Sequence, residues 1–192
     1  MSEARSIYLY ERCLAFAKDV HEGQVRKGKN TPYIEHPKAV VVLLSLVTKD
    51  PEIYSAGILH DTVEDCIPYG SVTISIIAEL AGERVARMVS DVTEPDRSLP
   101  WEARKQQALE HIAVMQQDSQ LLKTGDILAN LIELNTDLTL LPVDEVFSRF
   151  KIGKAKSIES YRKRYDALVA RWPENPLLPQ LKSQVEHLLT YI

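Results

Sequence analysis

The chain has 192 residues, enough for one domain with a sizeable buried core that needs neither disulfides nor structural metals. Hydrophobic residues make up 45% and charged residues 26%, the proportions of an ordinary soluble globular protein. The net charge of −4 argues against nucleic-acid backbones as a partner, yet leaves room for a local basic pocket facing a small phosphorylated ligand. Cys13 and Cys66 form no CxxC pair and no disulfide framework, so a reducing cytoplasm is the expected compartment. The longest aliphatic stretch, residues 39–47, contains Ser45 and is too short to span a membrane. The N-terminal residues carry acids and arginines and lack the apolar core of a signal peptide.

In chain order the sequence reads as helices. Leu9, Cys13, Phe16 and Val20 recur at spacings of three and four and predict a helix over 6–20. Residues 22–32 are polar, hold two glycines and close on Pro32, which predicts a loop. His36 and Pro37 open a helix reaching about Val47, because proline suits a first helical turn. A further helix is predicted from Pro51 to about Val63, with a break over 66–71. Ile74, Ile77, Ala78 and Ala81 predict a short helix stopped near Gly82, and Val85, Met88, Val89 and Val92 predict the next. Residues 94–100 read as a loop. Helices are then expected over 101–117, 119–135 and 145–171, and a proline-rich break at 172–179 precedes the last one. No segment shows the period-two alternation of a strand. The expectation is one all-α domain over residues 1–192.

Three places could carry chemistry. In ILHDTVEDC, residues 58–66, His60 and Asp61 are followed at once by Glu64 and Asp65. On a helix His60 and Glu64, and likewise Asp61 and Asp65, would share one side. Carboxylates behind the apolar Ile58 and Leu59 are costly without a compensating cation. Imidazole and carboxylate together suit a divalent ion such as Mn²⁺, Fe²⁺ or Zn²⁺; the bland alternative is a solvated helix end. His36 stands before an apolar helix, where a histidine can equally be a helix-start or packing residue. Asp126 sits among Leu121, Leu122, Ile127, Leu128 and Leu131, and an acid there needs a partner, either a metal or Lys123. Asn130 lies one turn further along the same face. Taken together, His36, His60, Asp61 and Asp126 offer two imidazoles and two carboxylates, which leaves open positions on a six-coordinate ion for water and a substrate oxygen. Separations of 24 residues between the histidines and 65 between the aspartates require a helical bundle to bring them together.

The pattern H…HD…D resembles the HD superfamily of metal-dependent phosphohydrolases. GQVRKGKNTPYIEHP, ILHDTVEDC, VSDVTEP and LKTGDILANL, in this order, resemble more closely the (p)ppGpp hydrolase domain of RelA/SpoT proteins. The short stand-alone versions, such as the metazoan SpoT homologue, are nearest in size. The resemblance covers roughly residues 10–190 and implies an all-α HD-domain helical bundle holding one Mn²⁺. It implies hydrolysis of the 3′-pyrophosphate of (p)ppGpp to GDP or GTP and pyrophosphate. By motif match, His36, His60, Asp61 and Asp126 take the metal-ligand positions, and Glu64 and Asp65 those that handle the nucleophilic water. Arg26 and Lys27 match a basic pair beside the nucleotide, Asn130 an asparagine that holds it, and Tyr161 a tyrosine of the C-terminal helix. Arg97 stands where the family has a lysine after VSDVT.

The residues themselves fit those roles. Gly23 and Gly28 flank Arg26 and Lys27, so the backbone can approach a phosphate, and arginine can fork to phosphate oxygens or stack on a purine. Residues 149–164 hold seven basic residues against the single acid Glu159, and some of these cations, Lys156 among them, could face an anionic nucleotide. Departures from the family are Gly125 and Ile127 around Asp126, and Cys66 where threonine is usual. Three further readings remain: a hydrolase of an adenosine alarmone or a nicotinamide dinucleotide phosphate, an antitoxin to an alarmone synthetase, and a non-catalytic nucleotide sensor. The chain is expected to have no room for a synthetase domain, no nucleic-acid or membrane partner, and apolar helix faces that could support a homo-oligomer.

Overall fold

The computed structural model describes residues 3–66, 68, 70–94 and 98–192. Ten helices and no strand occur among the described residues, as the all-α expectation requires. They divide into two compact units, residues 1–95 and 96–192. No helix of the described residues is long and apolar enough to cross a membrane.

The first unit contains α1 (Glu3–Val20), α2 (Glu35–Ser45), α3 (Pro51–Leu59), α4 (Ile74–Ala81) and α5 (Glu83–Val92). Its hub is α3, which packs against each of the other four. The sequence PEIYSAGIL explains both its start and its place. Pro51 fits the first helical position, and the Asp50 side chain accepts the Glu52 N–H at 3.0 Å as an N-cap. Arg84 then bridges Asp50 and Glu52 at 2.7 Å each, tying α5 to the start of α3. Ile53, Ala56, Gly57, Ile58 and Leu59 are all buried, so α3 has almost no solvent face. Gly57 lets α2 approach closely: a Cβ there would stand 2.9 Å from Leu44 Cδ1 and 3.1 Å from Val41 Cγ2. Val85, Ala86, Met88, Val89 and Val92 form the buried stripe of α5, and Cys13 and Ala17 are buried on α1.

The helix predicted from Pro51 to Val63 stops at Leu59, and residues 60–64 are turns. His60 still has helical backbone angles, but Thr62 donates both its N–H (3.0 Å) and its hydroxyl (2.7 Å) to the Leu59 carbonyl, which tightens the chain away from the α-helical path. The Asp65 N–H closes a wider turn on the Asp61 carbonyl at 2.8 Å. His60–Glu64 and Asp61–Asp65 are therefore neighbours through turns, not along a helix side.

The second unit contains α6 (Trp101–Ile112), α7 (Gln117–Leu140), α8 (Val143–Ser148), α9 (Lys154–Arg171) and α10 (Leu178–Leu189). The 24-residue α7 is its spine, packed against α8, α9 and α10. Buried polar side chains fix the connections. Gln120 reaches the carbonyls of Ile112 and Met115, which closes the α6–α7 turn five residues earlier than the predicted end at 117. Asn175 donates to Thr124 at 2.8 Å and accepts the Leu177 N–H, pinning the proline-rich break to α7. Asn135 donates to the Gln184 carbonyl and side chain, joining α7 to α10. The single helix predicted over 145–171 is two, because Gly153 adopts φ 78° between α8 and α9, a left-handed conformation that ends one helix and starts the next. Gly125 does not interrupt α7, whose burial on both sides outweighs a weak helix former.

Gly57→Ala is expected to destabilise the protein by about 1–3 kcal/mol, because the added methyl overpacks Leu44 and Val41 in a buried hub. The midpoint of urea denaturation measures it.

Candidate active site

Three segments of the first unit converge: the 21–34 loop, the start of α2 and the turns after α3. The loop folds back on itself. Its two arms pair as an isolated bridge at Val25 and Pro32, with Arg26 N–H to the Thr31 carbonyl at 2.8 Å and Tyr33 N–H to the Gln24 carbonyl at 2.9 Å. Gly28, at φ 73°, turns the tip. Arg26, Lys27 and Lys29 thus stand within one four-residue turn, and the Arg26 guanidinium lies over the Tyr33 ring at 5.5 Å.

His36 and His60 are both buried, with ring centroids 5.2 Å apart. Asp61 lies between them. His60 Nε2 is 3.2 Å from Asp61 Oδ1, and His36 Nε2 is 3.6 Å from Asp61 Oδ2. His60 Nδ1 stands 2.8 Å from the Gly57 carbonyl, which can only accept, so the proton sits on Nδ1 and the Nε2 lone pair of the neutral ring is left for a ligand. This is the arrangement of a metal-binding histidine. The spacing of the donors agrees with it, since ligands bound at roughly 2.1 Å around one ion stand roughly 3 Å apart. His36, His60 and Asp61 therefore form a donor set that fits a divalent ion.

Tyr33 is the residue the sequence reading missed. Its hydroxyl is 2.9 Å from Asp61 Oδ2 and 2.8 Å from Asp65 Oδ2. One hydroxyl proton serves two carboxylates, which concentrates negative charge and favours a cation close by. Burial and the two carboxylates raise the Tyr33 pKa far above that of a free phenol, so it remains a neutral donor. His21 is 3% exposed and stacks on Tyr33 at 4.7 Å. Burial pushes its pKa down. The sequence signal for Tyr33 was its place in the GQVRKGKNTPYIEHP string, between Pro32 and His36.

Glu64 is oriented separately. Its Oε2 accepts the Glu94 N–H at 3.1 Å, so the chain just past the end of α5 supports the residue four places after His60. Arg97 lies outside the described residues.

In the second unit, Asp126 is buried on α7 and engaged on both oxygens. Lys123 Nζ is 3.2 Å from Oδ2, the ion pair offered by the alternative reading, and Asn130 donates to Oδ1 at 2.7 Å. Asn130 thus orients Asp126. Tyr161 is buried at 9% exposure, with the Arg164 guanidinium 4.3 Å over its ring. Lys156 is exposed and pairs with Glu102 at 2.8 Å. The basic stretch 149–164 is largely paired inside its own unit: Arg149 meets Asp137 at 2.6 Å, and Arg162 meets Glu159 at 2.7 Å and Asp166 at 2.9 Å.

Known proteins resemble this chain in sequence and in fold. Residues 13–143 match the HD domain family. The chain is 39% identical over 123 residues to guanosine-3′,5′-bis(diphosphate) 3′-pyrophosphohydrolase MESH1 of Danio rerio, covering 62% of this chain and 66% of that protein. It is 36% identical over 123 residues to the Homo sapiens protein of the same name, with the same coverage. The matched region spans just under two thirds of these relatives. A solved structure described as a metazoan ortholog of SpoT that hydrolyzes ppGpp superposes with a TM-score of 0.73 at 26% identity, over 92% of this chain and 94% of that one. The family match takes in more than half of the sequence and includes both histidines, the HD dipeptide and Asp126. The chain belongs to the HD domain family, and its relatives there are of the RelA/SpoT type.

Proposed function

We propose that the protein is a metal-dependent pyrophosphohydrolase that removes the 3′-pyrophosphate of (p)ppGpp to give GDP or GTP and pyrophosphate. The observation that carries this reading is the His36–Asp61–His60 donor set with Asp65 tied to Asp61 through one tyrosine hydroxyl. The relatives named as pyrophosphohydrolases supply the substrate class. Both units act as one hydrolase domain in this reading, in keeping with a family match that runs from residue 13 to residue 143. The free, buried thiols of Cys13 and Cys66 support a reducing cytoplasm as its compartment.

His36, His60, Asp61 and Asp126 hold the metal, taken to be Mn²⁺. When bound, the ion supplies charge neutralisation at a phosphoryl group. Glu64 and Asp65 orient the attacking water, and one of them takes its proton. Tyr33 keeps the Asp65 carboxylate turned toward Asp61, and the Glu94 N–H keeps Glu64 from swinging away. The contacts to the nucleotide are Arg26, Lys27, Arg97, Asn130, Lys156 and Tyr161. Arg26 and Lys27 have the strongest support, since a glycine-turned loop carries both cations and the Arg26 guanidinium lies over Tyr33, whose hydroxyl meets the carboxylates.

Purified protein with Mn²⁺ is expected to release pyrophosphate from ppGpp, and Asp61→Ala to abolish release together with metal binding; tight ppGpp binding without release would instead identify a sensor. Glu64→Ala is expected to keep the metal, measured by calorimetry, while kcat falls about 10²–10⁴-fold, the usual loss of a general base; unchanged turnover would remove its role. For Tyr33→Phe a fall in kcat of about tenfold to a hundredfold is expected, because a hydrogen bond to a charged group is lost. Steady-state kinetics at saturating ppGpp measures it.

A further inference from the structure

Asp65 lies six residues beyond the end of α3, where its carbonyl has no intrahelical partner. The Gln24 side-chain amide fills that place: Nε2 donates to the Asp65 carbonyl at 2.7 Å across 41 residues of sequence. The other end of the same amide, Oε1, is 2.7 Å from His21 Nδ1. These two contacts fix each other. An amide turned the other way would set its oxygen against the Asp65 carbonyl, two acceptors face to face. Oε1 must therefore accept, and His21 must carry its proton on Nδ1. The buried His21 Nε2 has no hydrogen-bond partner among the described residues, which also favours the proton on Nδ1. His21 is in turn held by its stack on Tyr33, whose hydroxyl meets the Asp65 carboxylate. A closed ring results, running His21, Gln24, Asp65 backbone, Asp65 side chain, Tyr33 and back to His21.

We propose that His21 and Gln24 are positioning residues that clamp Asp65 from its backbone, so that with Tyr33 on its carboxylate the residue is held at both ends. Neither one touches the reacting atoms; both act through Asp65. The catalytic half of this proposal rests on the reading that Asp65 handles the nucleophilic water. The hydrogen-bond half stands on the geometry alone. The clamp gives the loop that carries Arg26 and Lys27 a second task, because the segment that brings cations toward a phosphorylated ligand also sets the catalytic turn. The ends of that loop, His21 next to α1 and Tyr33 next to α2, are anchored to helices packed on α3 or leading into it.

The test uses the full chain and two readouts. Gln24→Met removes both amide contacts at nearly constant volume. His21→Phe keeps a ring on Tyr33 and removes the donor. Gln24→Glu can accept from His21 but cannot donate to Asp65. Hydrogen–deuterium exchange reads the clamp directly: amides of residues 60–66 are expected to exchange about tenfold faster in all three variants, with those of α2 unchanged. Turnover of ppGpp with Mn²⁺ reads its use: kcat is expected to fall about tenfold with KM and Mn²⁺ affinity within about twofold of wild type, and the double variant to be no worse than Gln24→Met alone. Unchanged exchange at 60–66 overturns the clamp. Faster exchange with unchanged kcat, or additive losses in the double variant, overturns its part in catalysis. An inactive wild type with the exchange result as expected overturns the hydrolase reading and leaves the clamp standing.

Discussion

Two carboxylates on one tyrosine hydroxyl set the terms for the first unit. Asp61 and Asp65 both reach Tyr33, and Asp61 also lies against two buried imidazoles. Such a cluster is unfavourable in an apolar interior unless a cation or a full set of donors offsets it. The surrounding structure supplies donors one by one, through Tyr33 to the two acids, the Glu94 N–H to Glu64 and Gln24 to the Asp65 carbonyl. What remains is two histidine nitrogens and a carboxylate at coordination spacing, the chemistry of a divalent-ion site.

The early end of α3 makes this arrangement accessible. Had the helix continued through Asp65, Asp61 and Asp65 would be stacked one turn apart along its side. With α3 ending at Leu59, the turns that follow bring both carboxylates to Tyr33 and the Asp65 carbonyl to Gln24. The hub position of α3 carries the consequence inward. Gly57 both admits α2 at close range and presents the carbonyl that sets the His60 tautomer. A side chain at this position would disturb packing and the orientation of the His60 ring together.

The second unit follows the same rule with different partners. Asp126 is buried on α7 and is satisfied by Lys123 and Asn130, each one turn away. The acid is thus held in a defined orientation by its own helix, and α7 absorbs the weak helix former Gly125 because both of its sides are covered. The basic stretch of α8 and α9 illustrates the limit of charge counting. Of the seven cations in these sixteen residues, Arg149 and Arg162 are paired with acids of their own unit and Lys156 pairs with Glu102 of α6, so the count by itself does not say which of them face a ligand.

The sequence by itself determined the helical class, through apolar residues at spacings of three and four, and it singled out His36, His60, Asp61 and Asp126, in the order of the HD family, as candidate donors. It also marked Glu64 and Asp65, because acids directly behind an apolar run must be compensated. Only the tertiary structure decided where α3 ends, which carboxylates share Tyr33, and that His21 and Gln24 hold Asp65. The physical reason is range. Periodicity and capping act over a few residues and can be read along the chain, whereas the contacts from Tyr33 to Asp61 and from Gln24 to Asp65 join residues 28 and 41 positions apart and exist only because α1, α2 and α3 pack as they do.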